Sequence, residues 1–228
     1  MVKPYRVEVK QTRRSKSIGI RVKPGLVELS CPQWADQHLI DRVLRERASW
    51  IERQLQACAS QAPVQKPVVE DGAVWMFRGE PHTLRLARGS RRTERSDGEI
   101  RLIHPDASRS PTLATAQLDA FLKAEALDIF TERTGVFAER MQVRPAAVRV
   151  RRYRARWGSC SQQGVLTYHW PIIQAPDWVS DYLIVHELAH LVHFDHSPAF
   201  WRLVESIQPD WKTARAWLKA KGALLLLP

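Results

Sequence analysis

The chain begins with alternating stretches. Tyr5-Arg-Val-Glu-Val-Lys and Ser17-Ile-Gly-Ile-Arg-Val place apolar residues at every second position, and Leu26-Val-Glu-Leu-Ser resumes after a Pro24-Gly25 turn signal. A period of two sends one set of side chains to one face, which predicts strands of a half-buried sheet. Over 36–58 the period lengthens: Leu39, Ile40, Val43, Leu44, Ile51 and Leu55 form one stripe of a helix. Ser60 to Pro67 has linker composition. Strand patterns return in 70–104, at Ala73-Val-Trp-Met-Phe, Thr83-Leu-Arg-Leu and Glu99-Ile-Arg-Leu-Ile, punctuated by Gly72, Gly79 and Asp97-Gly98. After a loop from His104, Ser110 and Pro111 open a long helix whose stripe runs from Leu113 through Phe121, Leu122, Ile129 and Phe130 to Phe137.

The second half predicts a hairpin, with Val148–Tyr153 and Gly164–Trp170 joined across the Gly158–Gly164 turn region. Pro176 and Asp177 start a helix that carries Trp178, Leu183, Val185, Leu188, Ala189 and Val192. Ser197-Pro198 reads as cap and first residue of another helix, Ser197–Ile207, and Asp210 caps a last one that Gly222 ends. There is no internal repeat. The elements give an α+β class, with a β-rich region and one helix over residues 1–108 and a second domain over 109–228.

Candidate chemistry sits in the helix after Pro176. His186-Glu187-Leu188-Ala189-His190 puts two imidazoles on one helix face, with a carboxylate about 100° round from the first. Three neutral imidazoles leave one position of a tetrahedral Zn²⁺ open for water, and a carboxylate beside that water can take its proton. His193 and His196 compete to be the third ligand. A straight helix carries His193 roughly 10 Å along the axis from His186, too far for one ion with Zn–N bonds of about 2.0–2.1 Å. The chain is therefore expected to break near Phe194–His196 and turn His196 back to the metal, with Glu205 of the next helix as the remaining candidate. Glu187 is the candidate general base.

Composition narrows the setting. The chain has 228 residues, 44% hydrophobic, and three scattered cysteines, Cys31, Cys58 and Cys160, none in a metal-type pair. That suits a reducing compartment, and no apolar run has signal-peptide or membrane-span length, so a cytoplasmic protein without membrane attachment is expected. The net charge is +11 and is clustered. Arg149, Arg151, Arg152 and Arg154 fall in an acid-free stretch that ends at Arg156 and are candidate nucleic-acid contacts; the bland alternative is a solvated basic surface.

Several segments then line up. Arg156-Trp-Gly-Ser-Cys-Ser161, Trp170-Pro-Ile-Ile with Pro176, Asp181-Tyr-Leu-Ile-Val-His-Glu-Leu-Ala-His-Leu and His196-Ser-Pro-Ala-Phe-Trp201 together resemble the YgjP-like predicted metal-dependent hydrolases. That family is similar to the WLM and SprT-type zincin metallopeptidases. The resemblance implies a small zincin-like catalytic domain, in which a metal-binding helix packs on a short sheet. It also implies ligation by His186, His190 and His196 with Glu187 as base. This sequence departs from the family at Asp195, where Asn is usual before the third histidine, and at His169, where Asn usually precedes the tryptophan.

The expected function is a zinc-dependent peptidase or amide hydrolase with a peptide or protein substrate. Candidates to hold the oxyanion or touch substrate are His193, Tyr168, His169 and Arg156, and Val165–Trp170 is the expected edge for pairing with an extended peptide. The alternatives are a protease of DNA-bound proteins, as among SprT-type relatives, and a zinc-binding protein without turnover.

Overall fold

The N-terminal alternation produces strands β1 (Arg6–Thr12), β2 (Gly19–Lys23) and β3 (Leu26–Pro32), in the order β1-β3-β2. β1 runs parallel to β3 and β2 antiparallel to it. The structure, a computed structural model, describes residues 5–13, 17–60, 68–106 and 111–225. The helical stripe is divided into α1 (Gln37–Glu46) and α2 (Ala48–Ser60), rather than one helix over 36–58. The Asp36 side chain caps α1 by accepting from the Leu39 N–H at 2.7 Å. At Arg47 the backbone leaves helical geometry (φ −99°, ψ 6°), and the change of direction lets Ile40 and Leu44 from one helix and Ile51 from the next share a core with Val27, Leu29 and Cys31. The expected linker falls almost wholly outside the described residues.

A second unit contains β4 (Val74–Phe77), β5 (Glu80–Ala87), β6 (Arg92–Ser96) and β7 (Glu99–Ile103), ordered β4-β5-β7-β6. β6 is absent from the apolar pattern because only Thr93 is partly covered; its ladder to β7 holds it. Next come α3 (Pro111–Met141), β8 (Ala147–Arg151), β9 (Gly158–Cys160), β10 (Val165–His169) and a 3-10 turn at Trp170–Gln174. Helices α4 (Asp177–Ala189), α5 (Pro198–Ile207) and α6 (Trp211–Lys221) follow, with a last 3-10 turn at Gly222–Leu225. The expected cap Ser110 lies outside the described residues. Among the described residues, no helix is long and apolar enough to cross a membrane.

The chain divides into compact units at Met1–Val64 and Gln65–Pro228, not at residue 108. The reason is a shared core: Leu84, Ile100 and Leu102 of the β4–β7 sheet pack in the same cluster as Leu118, Leu122 and Phe130 of α3 and Ile184 and Leu188 of α4. A sheet with an apolar face must bury it on another layer, and α3 is that layer.

The expected β8–β10 hairpin is also corrected. β8 and β10 pair in parallel, with Val148 opposite Leu166 and Val150 opposite Tyr168. The antiparallel partner of β10 is the short β9, with Cys160 opposite Leu166 and Gly158 opposite Tyr168. β10 is therefore the central strand, and β9 is an edge.

Two charged clamps fix the start of α4. The Arg78-Gly79 turn between β4 and β5 has both residues at positive φ (52° and 84°), as a tight type I′ hairpin requires. Its N–H groups donate to the Ile173 and Gln174 carbonyls at 2.7 and 3.2 Å, and the Arg78 guanidinium makes two bonds to Asp177 at 2.9 and 2.5 Å. One turn later Asp181 is bound in the same two-pronged way by Arg133 of α3. Burial raises the Asp181 carboxyl, and the Arg133 hydrogen bond opposes that rise. Arg133→Ala leaves a mostly buried carboxylate without its cation, at a cost of roughly 2–4 kcal/mol. A melting-temperature drop of about 5–10 °C is expected by circular dichroism, partly recovered in Arg133→Ala/Asp181→Ala. A change within one degree would show that the clamp carries no stability.

Candidate active site

Helix α4 is apolar almost all round: Val179, Ile184, Val185, Leu188 and Ala189 are each at most 1% exposed. Such a helix belongs in a core, and its polar residues are carried in with it. The helix ends at Ala189, with His190 as its C-cap, about one turn before the expected break. The Leu191 and His193 N–H groups donate back to Leu188 and Ala189, closing the last turn. The chain then reverses and returns His196 to the helix, 3.1 Å from His186 between their Nε2 atoms. One ring nitrogen from each of His186, His190 and His196 lies within 4.8 Å of the others. Glu205 is not in this group; it is exposed and pairs with Lys212 at 3.8 Å.

The arrangement fits a small divalent ion. Two nitrogens on a tetrahedral ion with bonds of about 2.0–2.1 Å sit about 3.3 Å apart. The His186–His196 separation is close to that. His190 Nδ1 lies 3.0 Å from the His193 carbonyl oxygen, which can only accept, so Nδ1 carries the proton and Nε2 keeps its lone pair. Burial, with His190 and His196 nearby, holds His186 down at about 3, so it is a neutral donor at ordinary pH. Three neutral imidazoles are the donor set of an open zinc site.

Helix α5 steadies the rings. Ser197 caps it, accepting from the Phe200 N–H at 3.4 Å, and Pro198 occupies the first turn. That start aims Phe200, fully buried, at all three imidazoles, with centroid distances of 4.9, 4.6 and 4.9 Å to His186, His190 and His196. Trp201 stacks on His196 at 5.7 Å and on Trp211 at 4.2 Å.

Glu187 is 4% exposed, and burial pushes its carboxyl up to about 8, against the pull of Arg156. Room for it depends on a glycine. A Cβ at Gly158 would lie 2.5 Å from Glu187 Oε1, closer than any real contact, so only glycine lets β9 run beside the carboxylate. Glu187 and His186 open onto a cleft of about 510 Å³. Its floor is α4, from Tyr182 and Leu183 to Glu187. One wall is the Arg156–Gly158 segment, and the other is α6, through Arg215, Leu218 and Lys219.

A protein-family model described as "YgjP-like, metallopeptidase domain" matches residues 16–221. The chain belongs to the YgjP-like metallopeptidase family. The resemblance drawn from the sequence motifs is thus borne out, and with it a metal-dependent hydrolase. Among solved structures, the chain is similar to the metallopeptidase zymogen abylysin of Pyrococcus abyssi at 22% identity, over 43% of this chain and 97% of that one, with a TM-score of 0.38. No curated protein matches.

In this YgjP-like domain, Arg156 is the one predicted substrate contact that lines the cleft. Tyr168 is fully buried, with its hydroxyl 3.0 Å from Thr134 Oγ1, and burial pushes its pKa well up; it is a core residue. His169 is 1% exposed and accepts the Tyr153 N–H at Nδ1, 2.8 Å away. His193 serves through its carbonyl, on His190. β10, the expected substrate edge, has both edges taken, by β8 and β9. Arg149 and Arg151 are exposed together on β8, whereas Arg152 and Arg154 follow the end of the strand; none lines the cleft.

Tyr182, Gly158, Arg215 and Lys219 escaped sequence reasoning. Tyr182 sits one turn before His186, a spacing that could have flagged it. Nothing local ties α6 to the motif. At the two departures from the family, the side chains still do useful bonding. Asp195 Oδ1 accepts from the Ser197 N–H at 3.3 Å, and His169 offers an acceptor where Asn would also offer one.

Burial, and secondarily Arg152, lowers His169 from 6.5 to about 4. A lowered folded-state pKa gives stability that is complete above pH 6.5 and is lost as pH falls from there through 4. By pH 4.5 that loss is about 2.5 kcal/mol. His169→Asn should therefore show a shallower acid slope in urea denaturation at pH 7 and 4.5. An identical slope in wild type and variant would refute the burial of a neutral imidazole.

Proposed function

We propose that this chain is a zinc peptidase with one ion held by His186, His190 and His196 and with Glu187 as general base. The observation that carries the reading is the convergence of three imidazole nitrogens beside a buried carboxylate at the floor of a cleft. A bound divalent ion at such a site supplies Lewis acidity toward a water and the scissile carbonyl. Glu187 takes the proton of the attacking water and delivers it to the leaving amine nitrogen. Gly158 keeps β9 close enough to hold that carboxylate in one position. Arg156 and Tyr182 line the same cleft and are the donors proposed for the developing oxyanion. The free edge of β9 orients an extended substrate through main-chain bonds.

A second reading gives the enzyme DNA-bound protein substrates. The observation that favours it is the exposed β8 face carrying Arg149 and Arg151. Binding to duplex DNA that weakens steeply with salt is expected under it, and no shift at low salt would remove it.

Glu187→Gln should keep one metal ion per chain and lose roughly 10²–10⁴-fold in kcat on a peptide library. Equal, zero turnover in both would favour a non-enzymatic metal protein. His196→Ala should lose metal by elemental analysis while His193→Ala retains it; the reverse would overturn the ligand assignment. Gly158→Ala should fold and bind metal normally yet lose about 100-fold in activity, because its Cβ displaces the base. Full activity in that variant would show that Glu187 needs no fixed position.

A further inference from the structure

The cleft has an unusual charge balance. Among the described residues its only lining carboxylate is Glu187, buried at the floor, whereas Arg156, Arg215 and Lys219 stand on its walls and are exposed to solvent. In the same unit Arg78, Arg85, Arg92, Arg95, Arg101 and Arg133 each meet an aspartate or glutamate, whereas the exposed Arg149 and Arg151 of β8, like the cleft cations, meet none among the described residues. Among the described residues, the three cleft cations take part in no ion pair.

Two of them are also seated. Arg215 lies over the Trp201 ring at 5.3 Å, and Arg156 over the Tyr153 ring at 5.7 Å. An aromatic seat limits the motion of a guanidinium while leaving its N–H edge free for a carboxylate. Arg215 and Lys219 are four residues apart on one face of α6, where like charges repel. An anion between them relieves that repulsion. The walls behind the cations are apolar, from Trp157, Leu183 and Leu218, and low-dielectric walls concentrate the field in the opening. A volume of about 510 Å³ admits one or two residues of an extended peptide.

We infer that the cleft formed by Arg156, Arg215 and Lys219 beside Glu187 selects a substrate carboxylate, so that the enzyme prefers acidic peptides. The inference rests on the peptidase reading of this site and adds its substrate class. The carboxylate comes from a Glu or Asp side chain next to the scissile bond, or from the substrate's own C-terminus.

The test uses the metal-loaded full chain and a set of quenched fluorescent peptides. They carry Glu, Gln or Lys at each position flanking the cleavable bond, with the C-terminus free or amidated. The same peptides are titrated against metal-loaded Glu187→Gln by fluorescence anisotropy. Glu is expected to exceed Gln by about tenfold in kcat/KM and in affinity, with Lys lower still, if the peptide carboxylate is the recognised group. If the C-terminus is recognised instead, amidation produces the same loss. The preference should shrink to less than about threefold at 1 M salt, where the screening length falls to about 3 Å. Arg215→Ala/Lys219→Ala should erase it while keeping the melting temperature, and Arg215→Lys should keep part of it.

Equal binding of all the peptides to Glu187→Gln would overturn the inference, as would a preference that survives the double variant. If wild type cleaves no peptide, the peptidase reading fails, but the anisotropy series still decides whether the cleft selects carboxylates.

Discussion

A carboxylate that is 4% exposed and still reaches a cleft is the constraint around which this catalytic unit is arranged. Glu187 rides on a helix whose other faces are packed with Val179, Ile184, Val185 and Leu188, so it cannot swing out to water. A charge in that position is costly unless something stabilises it, and its raised pKa expresses the cost. Three features accommodate it. α4 is pinned at its start by Arg78 and Arg133, so the residue is held in place. β9 gives up a side chain at Gly158, so there is space. Arg156 supplies an opposing charge.

The imidazoles are organised differently, by packing more than by hydrogen bonds. Only His190 has its remote ring nitrogen tied down, by the His193 carbonyl; His186 Nδ1 is buried with no partner. Phe200 touches all three rings, and Trp201 stacks on both His196 and Trp211. A ring wedged among rings has few alternative orientations, and close packing makes those costly. The segment from His196 to Trp201 thus has a physical logic of its own. A candidate ligand is followed by a cap, a proline that sets the helix, and then two aromatics that brace the site from behind.

The cleft joins these parts to α6. Gly222, just past its end, lies so close to Trp157 that an added Cβ would sit 2.4 Å from the indole ring. That approach sets α6 beside the Arg156–Gly158 wall. The cations of two distant segments come together in this way beside Glu187.

The sequence by itself determined what is local. Helical spacing put His186 and His190 on one face, and Ser197-Pro198 announced the start of α5; His193 does stand outside the three-histidine group, but beyond the end of α4 and not along a continuous helix. Most strands were legible from alternation, because one of their faces is buried. Only the tertiary structure decided the rest. The parallel pairing of β8 with β10, the intrusion of β9 and the single core joining the β4–β7 sheet to α3 depend on contacts far apart in the chain, which no local period records. Tyr168 and His169 have polar side chains and alternate like neighbours of a site, yet they face the interior because β10 is central. Arg215 and Lys219 look like solvated helix residues until α6 is set against α4. Periodicity reports which face of an element is covered, whereas partners across the fold are chosen by the packing of whole layers, and that is where this site acquired its walls.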